Sequence, residues 1–144
     1  MTVYKIRTNG AAVLHKPAEM VTVFDKKLKS LVKNLWDTQR ACREPKAIGL
    51  AAPQIGKSVR VAVVAAHGFV EALINPRITG RVGKQETLKE GCLSLPGKVA
   101  RVLRFIGIKV EWQDVEGRPR EAYLEGLAAQ AVQHELDHLD GKLV

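Results

Sequence analysis

His134-Glu135-Leu136-Asp137-His138 is the one stretch of this sequence whose residue types and spacing announce chemistry. On a helix, side chains four apart lie one turn apart on the same face, so His134 and His138 can hold one metal ion between them. Glu135 stands one step round the helix, beside such an ion yet free to exchange a proton with a bound water. Two imidazoles are an incomplete set, because a catalytic site of this kind wants three protein donors and a water. In the extended pattern HExxHxxGxxH the third histidine would fall at position 144, which is valine. Asp140 is too close to His138 for a clean bite, and the sequence ends six residues after His138. The third donor is therefore expected upstream. Cys92, in Glu90-Gly91-Cys92-Leu93-Ser94, is the strongest choice. A lone cysteine is more often inert core, but its thiolate is a strong ligand for Zn²⁺ or Fe²⁺, and the missing donor reverses the odds.

The elements that must position these residues can be read from periodicity. Residues 25–42 read as an amphipathic helix, with Leu28, Leu31, Val32, Leu35 and Trp36 on one face, Asp25 as N-cap and Pro45 beyond the end. The apolar segment 47–54, closed by Pro53-Gln54, suits a buried loop or a short edge strand. Strands are expected at 59–64, 72–75, 78–82 and along 99–112, with a bulge at Gly107. Asp114 to Gly117 reads as a turn and 121–124 as the returning strand. A second helix is expected at 127–139, with Gly141 as its left-handed cap. Helix, many short strands, then helix makes an α+β fold.

Composition narrows the setting. At 144 residues with 46% apolar and 26% charged side chains, residues 1–144 are expected to form a single domain. The longest apolar run, Val61–Ala66, is far short of the ~20 residues of a membrane span. No secretory leader is evident, which places the chain in the compartment where it is made. Two cysteines fit a reducing compartment. The net charge of +8 favours polyanions at long range. With only 5% aromatics and no finger, RNP or GxxG motif, sequence-specific nucleic-acid binding is not expected.

Three segments taken together, AIGLAAPQ (47–54), EGCLS (90–94) and QHELDHLDG (133–141), resemble the motifs GxGxAAPQ, EGCLS and QHExDHLxG of the peptide deformylase family. The second and third match at every defined position, and the first departs at Ala47. The likeness extends to Lys16-Pro17-Ala18 and Glu125-Gly126-Leu127. It implies short antiparallel or mixed sheets packed round a central HExxH helix, with an N-terminal amphipathic helix. It implies hydrolysis of the formyl group from the N-formylmethionine of nascent polypeptides, releasing formate. The ligands would be Cys92, His134 and His138 around one divalent ion, Fe²⁺ in the cell, with Zn²⁺, Ni²⁺ or Co²⁺ as substitutes. Metal-bound hydroxide would attack the formyl carbon, with Glu135 as general acid and base. The Gln54 amide and the Leu93 backbone N–H would stabilise the oxyanion. The backbone at Ile48, Gly49 and Gly91 would pair with the substrate. Leu127 and Ala131 would receive the methionine side chain, and Gln130 stands where the family more often has an apolar residue or arginine. Glu90, Gln133 and Asp137 would orient the histidines or brace the metal loop. Further implications are a cytoplasmic monomer that meets nascent chains, with transient ribosome association and no membrane. The short stretch after Gly141 resembles some phage-encoded deformylases. The alternative is a deformylase-like fold that binds metal or peptide without turnover.

Overall fold

A computed structural model describes residues 1–43 and 47–143. Helix α1 covers Lys26–Ala41, and the Asp25 carboxylate accepts the Leu28 N–H at 3.1 Å, capping it as expected. Its apolar stripe buries Leu28, Val32 and Leu35 against Leu50, Ile55, Val61, Val63 and Ile74, with Leu31 and Trp36 half-buried beside them. Pro45, expected just past this helix, lies outside the described residues.

Among the described residues the strands are β1 (Gly49–Ala51), β2 (Val61–Ala66), β3 (Phe69–Cys92), β4 (Leu95–Gln113) and β5 (Pro119–Glu125). They form one sheet in chain order, antiparallel throughout. This is the α+β arrangement expected, with the antiparallel strands gathered in one sheet and a parallel contact at the isolated bridge Glu19–Val59. The separate strands expected at 72–75 and 78–82 are parts of β3. Breaks in the sequence pattern there are bulges, because the register against β4 shifts between Ile74 and Arg77, Ile78 and Gly80, and Val82 and Gln85. At the first, Asn75 takes a left-handed φ of 52°. Its side chain accepts the Val21 N–H at 2.8 Å and donates to the Val21 carbonyl at 2.9 Å, fastening the N-terminal segment.

Gly107 is not the bulge. It pairs in register with both Val82 and Glu125, and the extra residue lies opposite on β3, where Gly83 has φ 78°. A Cβ at Gly107 would meet the Tyr123 hydroxyl, the tip of an exposed ring that would have to swing aside.

Helix α2 covers Gly126–Leu139. Its alanines bring it close to the sheet, where Ala128, Ala129, Ala131, Val132 and Leu136 pack on Val64, Leu73, Ile108, Val110, Trp112 and Leu124. Strand β5 pairs with β4 only as far as Gly107–Glu125, which leaves the β4 edge open beyond that point. Gln133 closes it, accepting the Phe105 N–H and donating to the Phe105 carbonyl at 2.9 Å each. One side-chain amide thus stands in for a missing strand residue and fixes α2 along β4. The helix ends in a Schellman motif: Lys142 N–H to the Asp137 carbonyl (2.8 Å), Gly141 N–H to His138 (3.1 Å), and Gly141 at φ 78°. No helix among the described residues is long and apolar enough to cross a membrane.

Candidate metal centre

Strand β3 ends at Cys92, and Leu93-Ser94 form the two-residue turn into β4. This delivers the thiol to the face of α2. The Cys92 sulfur lies 3.3 Å from His138 Nε2, which is 3.2 Å from His134 Nε2. The three donor atoms all lie within 4.8 Å of one another. Donors on a tetrahedral ion with Zn–N and Zn–S bonds of ordinary length stand roughly 3.3–3.6 Å apart. The residues present therefore fit a divalent first-row ion both in spacing and in their mixed sulfur and nitrogen character.

Around the donors is a supporting network. His134 Nδ1 is 2.8 Å from Glu90 Oε1, which turns Nε2 toward Cys92 and His138. Glu90 is clamped by Arg104 through two bonds of 2.8 and 2.7 Å, and Arg104 also donates to Asp137 at 2.7 Å. Burial works to raise the Glu90 carboxyl, but its bonds to Arg104 and His134 win and hold it at about 2. Burial and the neighbouring His134 push His138 down to about 3, keeping it neutral and able to ligate. For His134, burial opposes protonation, yet Cys92 and Glu90 overcome it and draw the ring up to about 10. A cation between these groups would take the place of that proton.

Glu135 is buried, with Oε1 lacking any partner among the described residues. Burial raises its carboxyl to about 7, the right range for a group that must both take and return a proton. Space for it is made by Gly49, where a Cβ would stand 2.6 Å from Glu135 Oε2. Gln54, 2% exposed, is oriented by the Ala51 N–H donating to its Oε1 at 2.9 Å. That leaves its NH₂ facing the Ser94 hydroxyl at 3.2 Å and the Cys92 sulfur at 3.9 Å.

A cleft of about 340 Å³ gathers most of the residues expected from sequence. Ile48, Gly49 and Gln54 line one side, Gly91, Cys92 and Leu93 the other, and Leu127, Gln130, Ala131, His134 and Glu135 the α2 floor. Ala47, which departs from the family motif, is buried in the loop, and Gln39 donates to its carbonyl at 2.8 Å. Asn75 is the one non-glycine with positive φ among the described residues, so the Ala47 methyl strains no backbone. Gln133 braces β4 instead of a histidine, and Asp137 acts through Arg104. Cys42 stays apart, its thiol donating to the Thr38 carbonyl at 3.2 Å.

Sequence reasoning missed Arg104 and Ser94. Arg104 had a signal, an arginine set within the apolar run Val102-Leu103-Arg104-Phe105-Ile106, and it is only 5% exposed. Arg104→Met is expected to cost about 3–5 kcal/mol, because it strands a buried carboxylate. The measurement is the denaturant midpoint at neutral pH, and a loss below about 1 kcal/mol would show that Glu90 finds other partners. Glu90 titrates lower when folded than when unfolded. The cluster's contribution is thus complete above the ordinary 4.5 and lost as pH falls toward 2.

A thiol and two imidazoles beside a buried carboxylate, one of whose oxygens is unpartnered among the described residues, at the base of a cleft, define the centre of a metal-dependent hydrolase. The sequence model of one family, described as Polypeptide deformylase, matches residues 3–144. Peptide deformylase 1 of Bacillus subtilis is 46% identical, the match covering 99% of this chain and 88% of that protein. The crystal structure of peptide deformylase from Thermotoga maritima superposes with a TM-score of 0.92 at 40% identity, over 99% of this chain and 95% of that one. A probable peptide deformylase from a Synechococcus phage gives 0.88 at 37% identity, over 97% and 96%. The chain belongs to the polypeptide deformylase family, metal-dependent hydrolases that remove the N-formyl group from nascent peptides.

Proposed function

We propose that Cys92, His134 and His138 hold the divalent ion and that Glu135 moves the proton in deformylation. The observation that carries this reading is the pairing of three clustered donors, 3.3 Å apart for Cys92–His138 and 3.2 Å for His138–His134, with a buried carboxylate that has an oxygen unpartnered among the described residues. Iron(II) is the cellular ion in this reading, supported by the family likeness and the mixed donor set, with Zn²⁺, Ni²⁺ or Co²⁺ able to substitute. When bound, such an ion acidifies a water and polarises the formyl oxygen. Glu135 takes the proton of the attacking water and returns it to the departing amine. The Gln54 NH₂, held toward the Cys92 side by its bond from Ala51, and the Leu93 N–H are the donors for the developing oxyanion. Substrate backbone lies between Ile48-Gly49 and Gly91, adding a strand to the open edge of β1. The methionine side chain sits against Leu127 and Ala131, with Gln130 tied to the Lys89 carbonyl at 3.3 Å beside it.

The chain acts as a single-domain monomer in the cytoplasm, reaching N-formylmethionyl nascent chains with transient help from the ribosome. The test is formate release from formyl-Met-Ala-Ser after anaerobic Fe²⁺ loading. Turnover should vanish with a chelator and return on adding Fe²⁺, Ni²⁺ or Co²⁺. A loaded protein that binds the peptide but releases no formate would establish the non-catalytic alternative instead.

A further inference from the structure

Lys89 and Arg101 stand directly opposite each other on β3 and β4, and both are exposed. Neither has a carboxylate within ion-pair distance among the described residues. Like charges facing each other across a ladder are destabilising, and no ion pair among the described residues relieves this one. The surrounding strands are cationic as well. Between positions 81 and 103 stand Arg81, Lys84, Lys89, Lys98 and Arg101, against Glu86 and a Glu90 that is buried with Arg104.

The register is unbroken from Thr87–Leu103 to Gly91–Val99, so strand alternation puts Thr87, Leu103, Gly91 and Val99 on the same face as the Lys89–Arg101 pair. Val99 and Leu103 are 69% and 58% exposed, giving the cations apolar flanks. The β3 backbone at Lys89 and Gly91 lines the cleft, while the Glu90 and Cys92 side chains turn to the opposite face, so a peptide laid along this open edge of β3 sends alternate side chains onto the Lys89–Arg101 face. Lys89 precedes Cys92 by three residues, roughly 10 Å along the strand at about 3.3 Å per residue. An extended peptide with its formyl group at Cys92 covers that distance in about as many residues.

We propose that the Lys89–Arg101 face is a downstream extension of the substrate site that selects acidic residues at about the third and fourth positions of the formylated peptide. It rests on the substrate reading above and adds a charge preference to it. An anion lying between the two cations relieves their repulsion, and the gain is electrostatic and exposed, hence sensitive to salt.

The experiment compares formyl-Met-Ala-Asp-Asp, formyl-Met-Ala-Ser-Ser and formyl-Met-Ala-Lys-Lys on the Fe²⁺-loaded enzyme. At low salt kcat/KM should favour the Asp over the Lys peptide by about five- to tenfold, carried by KM. The preference should shrink at about 1 M salt, where the screening length is only about 3 Å. Arg101→Glu should bring the Asp/Lys ratio close to one while turnover of the Ser peptide is unchanged, and Arg101→Lys should keep the ratio. A low-salt ratio within about twofold, or one that survives Arg101→Glu, overturns the proposal. If no peptide is turned over, the catalytic reading fails and the face is decided by affinity. Labelled, unformylated Met-Ala-Asp-Asp should then bind more tightly than Met-Ala-Lys-Lys, and equal affinities overturn it.

Discussion

Glu135→Ala is expected to lower kcat/KM for formyl-Met-Ala-Ser by about 10²–10⁴-fold while leaving metal content unchanged. The carboxylate is buried, one of its oxygens has no partner among the described residues, and it is not one of the three clustered donors. Its removal therefore strips the proton carrier without touching the ion's ligands. Neither the Gln54 amide nor the Leu93 N–H can accept a proton from water, so the remaining site has donors for the oxyanion but no base. Glu135→Gln separates shape from basicity, because it fills the same space beside Gly49 and should be as slow as the alanine variant. The readouts are formate release and metal analysis on the same sample. Activity within about tenfold of the parent in either variant would remove Glu135 from the proton pathway. Loss of metal along with activity would make it a support of the centre instead.

Much of the fold was legible because its elements carry strong local signals. The stripe on α1, the Asp25 cap and the Gly141 terminus are contacts within a few residues of chain, and each lies where periodicity put it. The sheet was harder. Nothing local tells that 72–75 and 78–82 are one strand, because the bulges joining them are defined only by register against β4, more than 30 residues away in sequence. Gly107 shows the same limit: it lies in register, and the extra residue that its sequence position suggested stands across from it on β3.

In the site, the residues at fixed helical spacing were visible, as was Cys92 through the donor the pentad lacked. Arg104 was not expected, because its partners Glu90 and Asp137 lie on a different strand and on α2. Gln133 was placed with the histidines, yet it serves the open edge of β4, a vacancy that exists only once β5 is seen to stop at Glu125.

Cys92→Ser is expected to reduce affinity for the divalent ion by at least about 100-fold, more than the loss typical of a mere supporting residue. A serine hydroxyl stays protonated near neutrality and is a harder, weaker donor than a thiolate, so the centre would fall back on two imidazoles. The fold should tolerate the change, which makes the result interpretable. The hairpin end is held by other bonds: the Asn9 N–H donates to the Ser94 carbonyl at 2.9 Å, and Gln54 donates to the Ser94 hydroxyl at 3.2 Å. Thermal unfolding of the metal-free variant should match that of the metal-free parent, while retained metal after dialysis drops and formate release falls with it. The parent should gain stability when metal is added and the variant should gain little, since an ion stabilises only the state that binds it. Unchanged metal affinity would take Cys92 out of the coordination sphere. The third donor would then be sought elsewhere around the cleft, though not at Glu90, which holds His134 by Nδ1, the side of the ring away from Nε2.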